Sequence, residues 1–276
     1  MYLFADDSTA VFTGNDNNTI SNDINTNLNN IIDWLKLNNL ILNIDKTKIM
    51  TFRNNYNNID SSDLNIAWEG KPIASTDSAK FLGVQIDCHL NWKEQIDIIC
   101  TKLYKFSYAL YMLSKVVNQN TVLTAYHAYV VSTLRYGIIF WGNSTDRDRA
   151  FKAQKRCVRA ICRLKQRDSC KLYFKKLSIL TLTSLYIFEV AIFVKCNMSL
   201  FSSFRSERLQ NKMCAIPRKT ALLDKSIFGM ATKIYNHLPK ILKETADIKI
   251  FKHKLKDLLL SKSYYHINEF FDDFND

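Results

Sequence analysis

The chain has 276 residues, 47% of them hydrophobic, which is ordinary for a globular protein able to bury one large core or two modest ones. Its net charge of +12 and pI near 9.3 point to an anionic partner. Seven cysteines with no C-x-x-C pair, and no secretory signal, read as free thiols in a reducing compartment and exclude a secreted disulfide scaffold. The location so implied is intracellular, cytoplasmic or nuclear. Charge is divided unevenly. Residues 1–100 hold 7 Lys/Arg against 13 Asp/Glu, residues 101–276 hold 31 against 13, and residues 101–176 alone hold 16 against 3. Such asymmetry predicts an acidic region joined to a region that binds a polyanion.

In chain order, Tyr2-Leu3-Phe4, Asp6-Asp7 and Ala10-Val11-Phe12 predict a β-hairpin with the aspartates at or beside its turn. Two carboxylates at a strand tip suit a hard divalent cation such as Mg²⁺, which can neutralise phosphoryl oxygens. The same dipeptide is also common turn chemistry. Thr19 to Asn38 places Ile20, Ile24, Leu28, Ile31, Ile32 and Leu35 at helical spacing, with Thr19 or Ser21 as its cap. Leu40–Ile44 and Lys48–Phe52 are short strand-like runs, and Arg53 to Asn65 is a polar loop. Asn65–Trp68, Glu69-Gly70 and Lys71–Ala74 predict another hairpin. Lys80–Ile86 reads as one strand, in which Gly83 either lets another backbone approach or marks a bend.

From Asn91 the pattern is helical. Helices are predicted at about 92–115, 120–140, 145–164, 168–176 and 179–197, then at 222–237 and 246–262 after a Ser-rich stretch. Leu177 to Cys196 is apolar but contains Glu189 and is short for a membrane span, so a buried helix is expected. Tyr104, Phe106, Tyr108, Tyr111, Tyr126, Tyr129, Tyr136, Phe140 and Trp141 cluster in the first two of these helices. Stacking on bases is open to them, and packing in a core is their commoner role. In the helix at 145–164, Lys152, Lys155, Arg156, Arg159 and Arg163 fall at i, i+3, i+4, i+7 and i+11. These positions form one continuous stripe, which either faces solvent or tracks phosphates without reading sequence. Cys157, Cys162 and Cys170 match no common zinc spacing.

Four blocks in order carry a family resemblance. Phe4-Ala5-Asp6-Asp7 resembles the Tyr/Phe-x-Asp-Asp motif of reverse transcriptases. LILNIDKTKIMTF at Leu40 to Phe52 resembles the block that follows the catalytic hairpin. Phe81-Leu82-Gly83-Val84 with Ile86-Asp87 resembles the primer-grip block, and Leu90-Asn91-Trp92 the entry to the first thumb helix. Together they resemble the polymerase of non-LTR (LINE-type, jockey-like) retrotransposons over residues 1–200, and more weakly to about residue 260.

The resemblance implies an α+β fold. Residues 1–88 would be a partial palm, a small antiparallel sheet plus a helix; residues 89–198 a helical thumb; residues 199–276 a linker and basic helical tail. It implies RNA-directed DNA synthesis on an RNA template and DNA primer, with two Mg²⁺ ions in the intact family and no membrane or small-molecule cofactor. Asp6 and Asp7 would be catalytic and metal-binding, and Lys46 a general acid for the departing pyrophosphate, or else a solvated loop lysine. Phe81, Leu82 and Gly83 would form the primer grip, and Lys152, Lys155, Arg156, Arg159 and Arg163 would bind nucleic acid. The family's third metal-binding Asp and its fingers lie upstream of the hairpin, so the chain corresponds to a C-terminal fragment. The expectation is weak metal binding and no polymerase activity from the chain alone. The alternative is a nucleic-acid-binding remnant with no enzymatic role.

Overall fold

The computed structural model describes residues 1–5, 7–14, 16–53, 66–68, 70–204 and 221–274. The chain forms two compact units, Met1–Leu90 and Asn91–Asp276.

The first unit is α+β. Strands β1 (Tyr2–Phe4) and β2 (Asp7–Thr9) pair antiparallel, with Phe4 opposite Asp7. Helix α1 (Asn17–Leu37) begins earlier than its apolar spacing predicts, because Asp16 is the cap: its Oδ1 accepts from the Thr19 backbone N–H at 2.8 Å. β3 (Lys48–Ile49) pairs parallel with β6 (Ala74–Ser75), and β4 (Ala67–Trp68) antiparallel with β5 (Lys71–Pro72). Gly70 follows Trp68 in that hairpin with φ +76°, a conformation that glycine adopts without steric cost. The run at 40–44 forms no strand.

The single strand expected over Lys80–Ile86 is instead a hairpin of β7 (Ser78–Phe81) and β8 (Val84–Asp87). Leu82 and Gly83 both take positive φ, 45° and 82°, which is the two-residue turn whose twist matches the flanking strands. The strands of this unit therefore lie in four two-stranded ladders rather than one sheet. Its buried apolar side chains are Ile32, Ile66, Ile73 and Cys88, among the described residues, while Tyr2, Leu3 and Phe4 are exposed.

The second unit is helical: α2 (Lys93–Leu113), α3 (Gln119–Tyr126), a π-helical turn (His127–Val131), α4 (Ser132–Arg135), α5 (Ile138–Trp141), α6 (Arg147–Cys162), α7 (Lys171–Lys176) and α8 (Leu182–Cys196). A 3₁₀ segment (Met198–Phe204) follows, then α9 (Ala221–Lys225), α10 (Ile227–His237), α11 (Lys240–Glu244), α12 (Ile248–Lys262) and α13 (Ile267–Asp272). The helix expected over 120–140 breaks at Tyr136-Gly137, where Gly137 has φ +63°.

Helix α8 is the centre of this unit, with α5, α6, α10 and α12 packed against it. It is 15 residues long, about 22 Å at 1.5 Å per residue, and short of a bilayer's hydrocarbon core. No helix of the described residues is long and apolar enough to cross a membrane. One hydrophobic core runs from Ile96 to Phe270. Helices on both sides of residue 198 therefore share it. Direct bonds join them: Thr183 Oγ1 donates to the Tyr265 carbonyl at 2.8 Å, and Lys195 Nζ to the Lys243 carbonyl at 2.9 Å.

Candidate nucleic-acid interface

Helix α6 divides into two faces. Ala150, Phe151, Ala153, Gln154, Cys157, Val158 and Ile161 are buried, and their helical spacing places them together. The helix ends where Arg163 turns left-handed at φ 51°, and the Leu164 N–H closes the last turn on the Arg159 carbonyl at 3.0 Å. Three contacts align α6 with α2. Arg149 pairs with Asp97, the Cys157 thiol donates to the Leu103 carbonyl at 3.4 Å, and Arg163 donates to the Ser114 carbonyl. Both members of these pairs rise together in sequence, so the two helices run parallel.

The five predicted cations are brought to one side but are not equivalent. Lys152, Arg156 and Arg163 are exposed. Lys155 is half-buried, with Nζ 4.6 Å above the Phe151 ring and 5.4 Å above that of Tyr265. Burial lowers its pKa, and neighbouring Arg159 acts the same way. Arg159 donates from Nε to the Asp168 carbonyl at 3.1 Å, and Arg163 to Ser114, so each also holds a loop or helix end in place. Burial pushes the Cys157 thiol up to about 12, and those of Cys162 and Cys170 also upward. Among the described residues all six cysteines are free, and no group of three His, Cys, Asp or Glu could hold a metal ion.

A cleft of about 470 Å³ opens where the ends of α2 and α6 meet α3 and α7. Ser114, Gln119, Cys162, Arg163, Tyr173 and Lys176 line it.

Of the expected catalytic residues, Asp7 and Lys46 lie in the first unit on separate elements. Asp6 lies outside the described residues. Asp7 opens β2 and is exposed, a hard oxygen donor of the kind Mg²⁺ prefers. Lys46 is exposed in a turn, where its N–H donates to Asn43 Oδ1 at 3.2 Å. Phe81, 38% exposed, ends β7, and Leu82-Gly83 form the turn after it.

The aromatics expected chiefly in the core of the first two helices divide between interior and surface. Tyr126 and Trp141 are buried, but Tyr104, Tyr108, Tyr111, Tyr129, Tyr136 and Phe140 are exposed. On α2, Tyr104, Tyr108 and Tyr111 keep helical spacing on a flank about 100° around the axis from Leu103 and Leu110, and Lys115 just past the helix end continues it. No protein-family model, curated protein or solved structure matches this chain.

Proposed function

We propose that the chain acts on nucleic acid as part of an RNA-directed DNA polymerase of the non-LTR retrotransposon type. The observation that carries this reading is α6: one face is locked into the core, and the other presents cations in a stretch of 16 Lys/Arg against 3 Asp/Glu. A stripe of that kind holds the phosphates of a template–primer duplex without reading bases. The second unit would be the thumb with its basic tail helices, and the first a partial palm. In that palm Asp6 and Asp7 would hold Mg²⁺, which when bound neutralises charge on the reacting phosphates. Lys46, solvent-exposed, would donate a proton to the departing pyrophosphate. Phe81, Leu82 and Gly83 would hold the primer end against a tight turn. The four sequence blocks in family order support these assignments.

The test is binding of an RNA–DNA duplex across a salt series, with primer extension on an RNA template run beside it. Salt-sensitive binding indifferent to sequence is expected, and a flat salt response overturns the interface. Extension abolished by Asp6→Ala would show a complete catalytic centre. A nucleic-acid-binding role without catalysis is the second reading. It is favoured by the position of the whole basic stripe within the second unit.

A further inference from the structure

The outer side of α2 carries large rings beyond those its core needs. Ile96, Ile99, Leu103 and Leu110 are buried on one side of the helix. On the flank about 100° around from them, Tyr104, Tyr108 and Tyr111 are 45%, 67% and 41% exposed. With Lys115 they fall at i, i+4, i+7 and i+11, a single stripe. Because α2 and α6 lie parallel and in contact, this stripe runs beside the α6 cations. The Arg156 guanidinium is 5.3 Å from the centroid of the Tyr104 ring, and Lys115 Nζ is 4.3 Å from that of Tyr111. At the far end Arg163 reaches the Ser114 carbonyl, three residues past Tyr111.

We propose that this two-helix surface binds single-stranded nucleic acid, the tyrosines stacking on unpaired bases and the α6 cations holding the phosphates. The proposal deepens the interface described above and rests on it. An exposed ring stacks on any base, because every base has a π-face, and cations beside it supply the backbone contact. A ring that carries a cation on one face keeps its other face for a base. At 1.5 Å per residue, Tyr104 and Tyr108 are about 6 Å apart along the axis, and Tyr108 and Tyr111 about 4.5 Å. A stacked strand repeats about every 3.4 Å, so these rings match bases drawn apart from one another, not a stacked column. Paired duplex bases present no such free faces. The charge of the surroundings selects a polyanion over an apolar protein surface: Lys102, Lys105, Lys152 and Arg156 belong to the same two helices, and Lys115 follows the end of α2.

The experiment measures anisotropy of labelled single-stranded RNA and DNA, and of a blunt RNA–DNA duplex, with the full chain. The variants are Tyr108→Ala, Tyr104→Ala/Tyr108→Ala, Tyr108→Phe and Lys152→Ala/Arg156→Ala. Roughly ten-fold or greater loss of single-strand affinity is expected for the double tyrosine variant, with duplex affinity changed by less than about two-fold. Tyr108→Phe should bind like the parent, since stacking needs the ring and not the hydroxyl. The salt slope should not change in the tyrosine variants, because no charge is removed. Tyr108→Ala, at the most exposed of the three positions, gives a smaller loss in the same direction without disturbing the fold. Single-strand binding indifferent to both alanine variants overturns the proposal, as does an equal loss on single strand and duplex. Self-association that Tyr108→Ala dissociates overturns it too, by showing that a second copy covers the stripe. If the Lys152/Arg156 pair changes neither substrate's affinity, the interface reading itself falls. Failure confined to the tyrosine variants leaves that reading standing.

Discussion

Inside the helical unit, Gln154 Nε2 donates to the hydroxyl of Tyr126 at 3.1 Å and to the Leu180 carbonyl at 2.9 Å. Both side chains are fully buried, and burial drives the Tyr126 phenol far above its ordinary pKa. One amide thus serves two acceptors from different elements, tying α6 to α3 and to the entry of α8. Gln154→Leu keeps the volume but leaves the hydroxyl and the carbonyl without that donor, at an expected cost of about 2–5 kcal/mol. Tyr126→Phe removes one acceptor while Gln154 keeps the other, at about 1 kcal/mol. Urea unfolding of both variants checks the order, and a larger loss for Tyr126→Phe would show that ring packing, not this bond, dominates the site.

What could be read in the sequence follows from what is periodic. The α6 cations separate from Phe151, Gln154, Cys157 and Ile161 by the 3.6-residue repeat alone, and the structure keeps that separation. The tyrosines of α2 have the same period, yet a tyrosine suits a core or a surface equally well, so their exposure depends on which neighbours fill the interior. The β7–β8 hairpin was hidden because Leu82-Gly83 lacks the Asn-Gly or Asp-Gly signal, and leucine rarely takes φ +45°. The parallel pairing of Lys48 with Ala74 joins residues far apart in sequence, with no local signal. The candidate catalytic set rests on the resemblance of four sequence blocks to reverse transcriptases, not on local periodicity. The turn geometry at Leu82-Gly83 came only from the structure.

Glu189, on the central helix, sets a pH dependence. Its Oε1 lies 2.5 Å from Arg135 Nε, and its side chain is 15% exposed. Burial raises its pKa above the ordinary 4.5, with Arg135 and then Lys252 opposing. The folded state thus holds a proton at pH values where the unfolded chain has already lost it. Stability from this group is therefore full below pH 4.5 and falls as pH rises towards the raised folded value. Comparing unfolding free energies of the parent and Glu189→Gln across pH isolates the effect: the parent should lose ground as pH rises through that window, then run level. Arg135→Ala should extend the decline to higher pH. A parent that gains on Glu189→Gln as pH rises would reverse the sign and show that the ion pair outweighs burial.

The turn at Leu82 is a place where stability and function can be separated. A leucine in the left-handed region costs roughly 1–2 kcal/mol, and asparagine tolerates it better. Leu82 is half-buried, so losing its apolar surface offsets part of the gain. Leu82→Asn should stabilise the β7–β8 hairpin by about 0.5 kcal/mol, and Gly83→Ala should destabilise it by about 1 kcal/mol. Hydrogen exchange at the amides of Val84–Asp87 reports both. If Phe81-Leu82-Gly83 also holds a primer end, Leu82→Asn will weaken duplex binding while protection rises. Binding that rises with protection would make the turn purely structural.

The α6 cations should separate by the salt slope of duplex binding. Each phosphate neutralised contributes about −0.9 to the log–log slope, so five contacts would give roughly −4.5. The structure divides the five. Lys152 and Arg156 stand exposed, while Arg159 and Arg163 each donate to a backbone carbonyl and Lys155 is half-buried over two rings. A guanidinium that already holds a carbonyl can still face a phosphate, but removing it also releases the loop or helix end that it holds. Lys152→Ala/Arg156→Ala is therefore expected to flatten the slope by about 2, weaken all sequences alike and leave thermal stability near the parent's. Arg159→Ala should flatten the slope by less than about 1 and lower Tm, because the Asp168 carbonyl loses its donor. Equal slope changes for every cation, with no change in Tm, would show that all five meet phosphate and that the carbonyl contacts give way on binding.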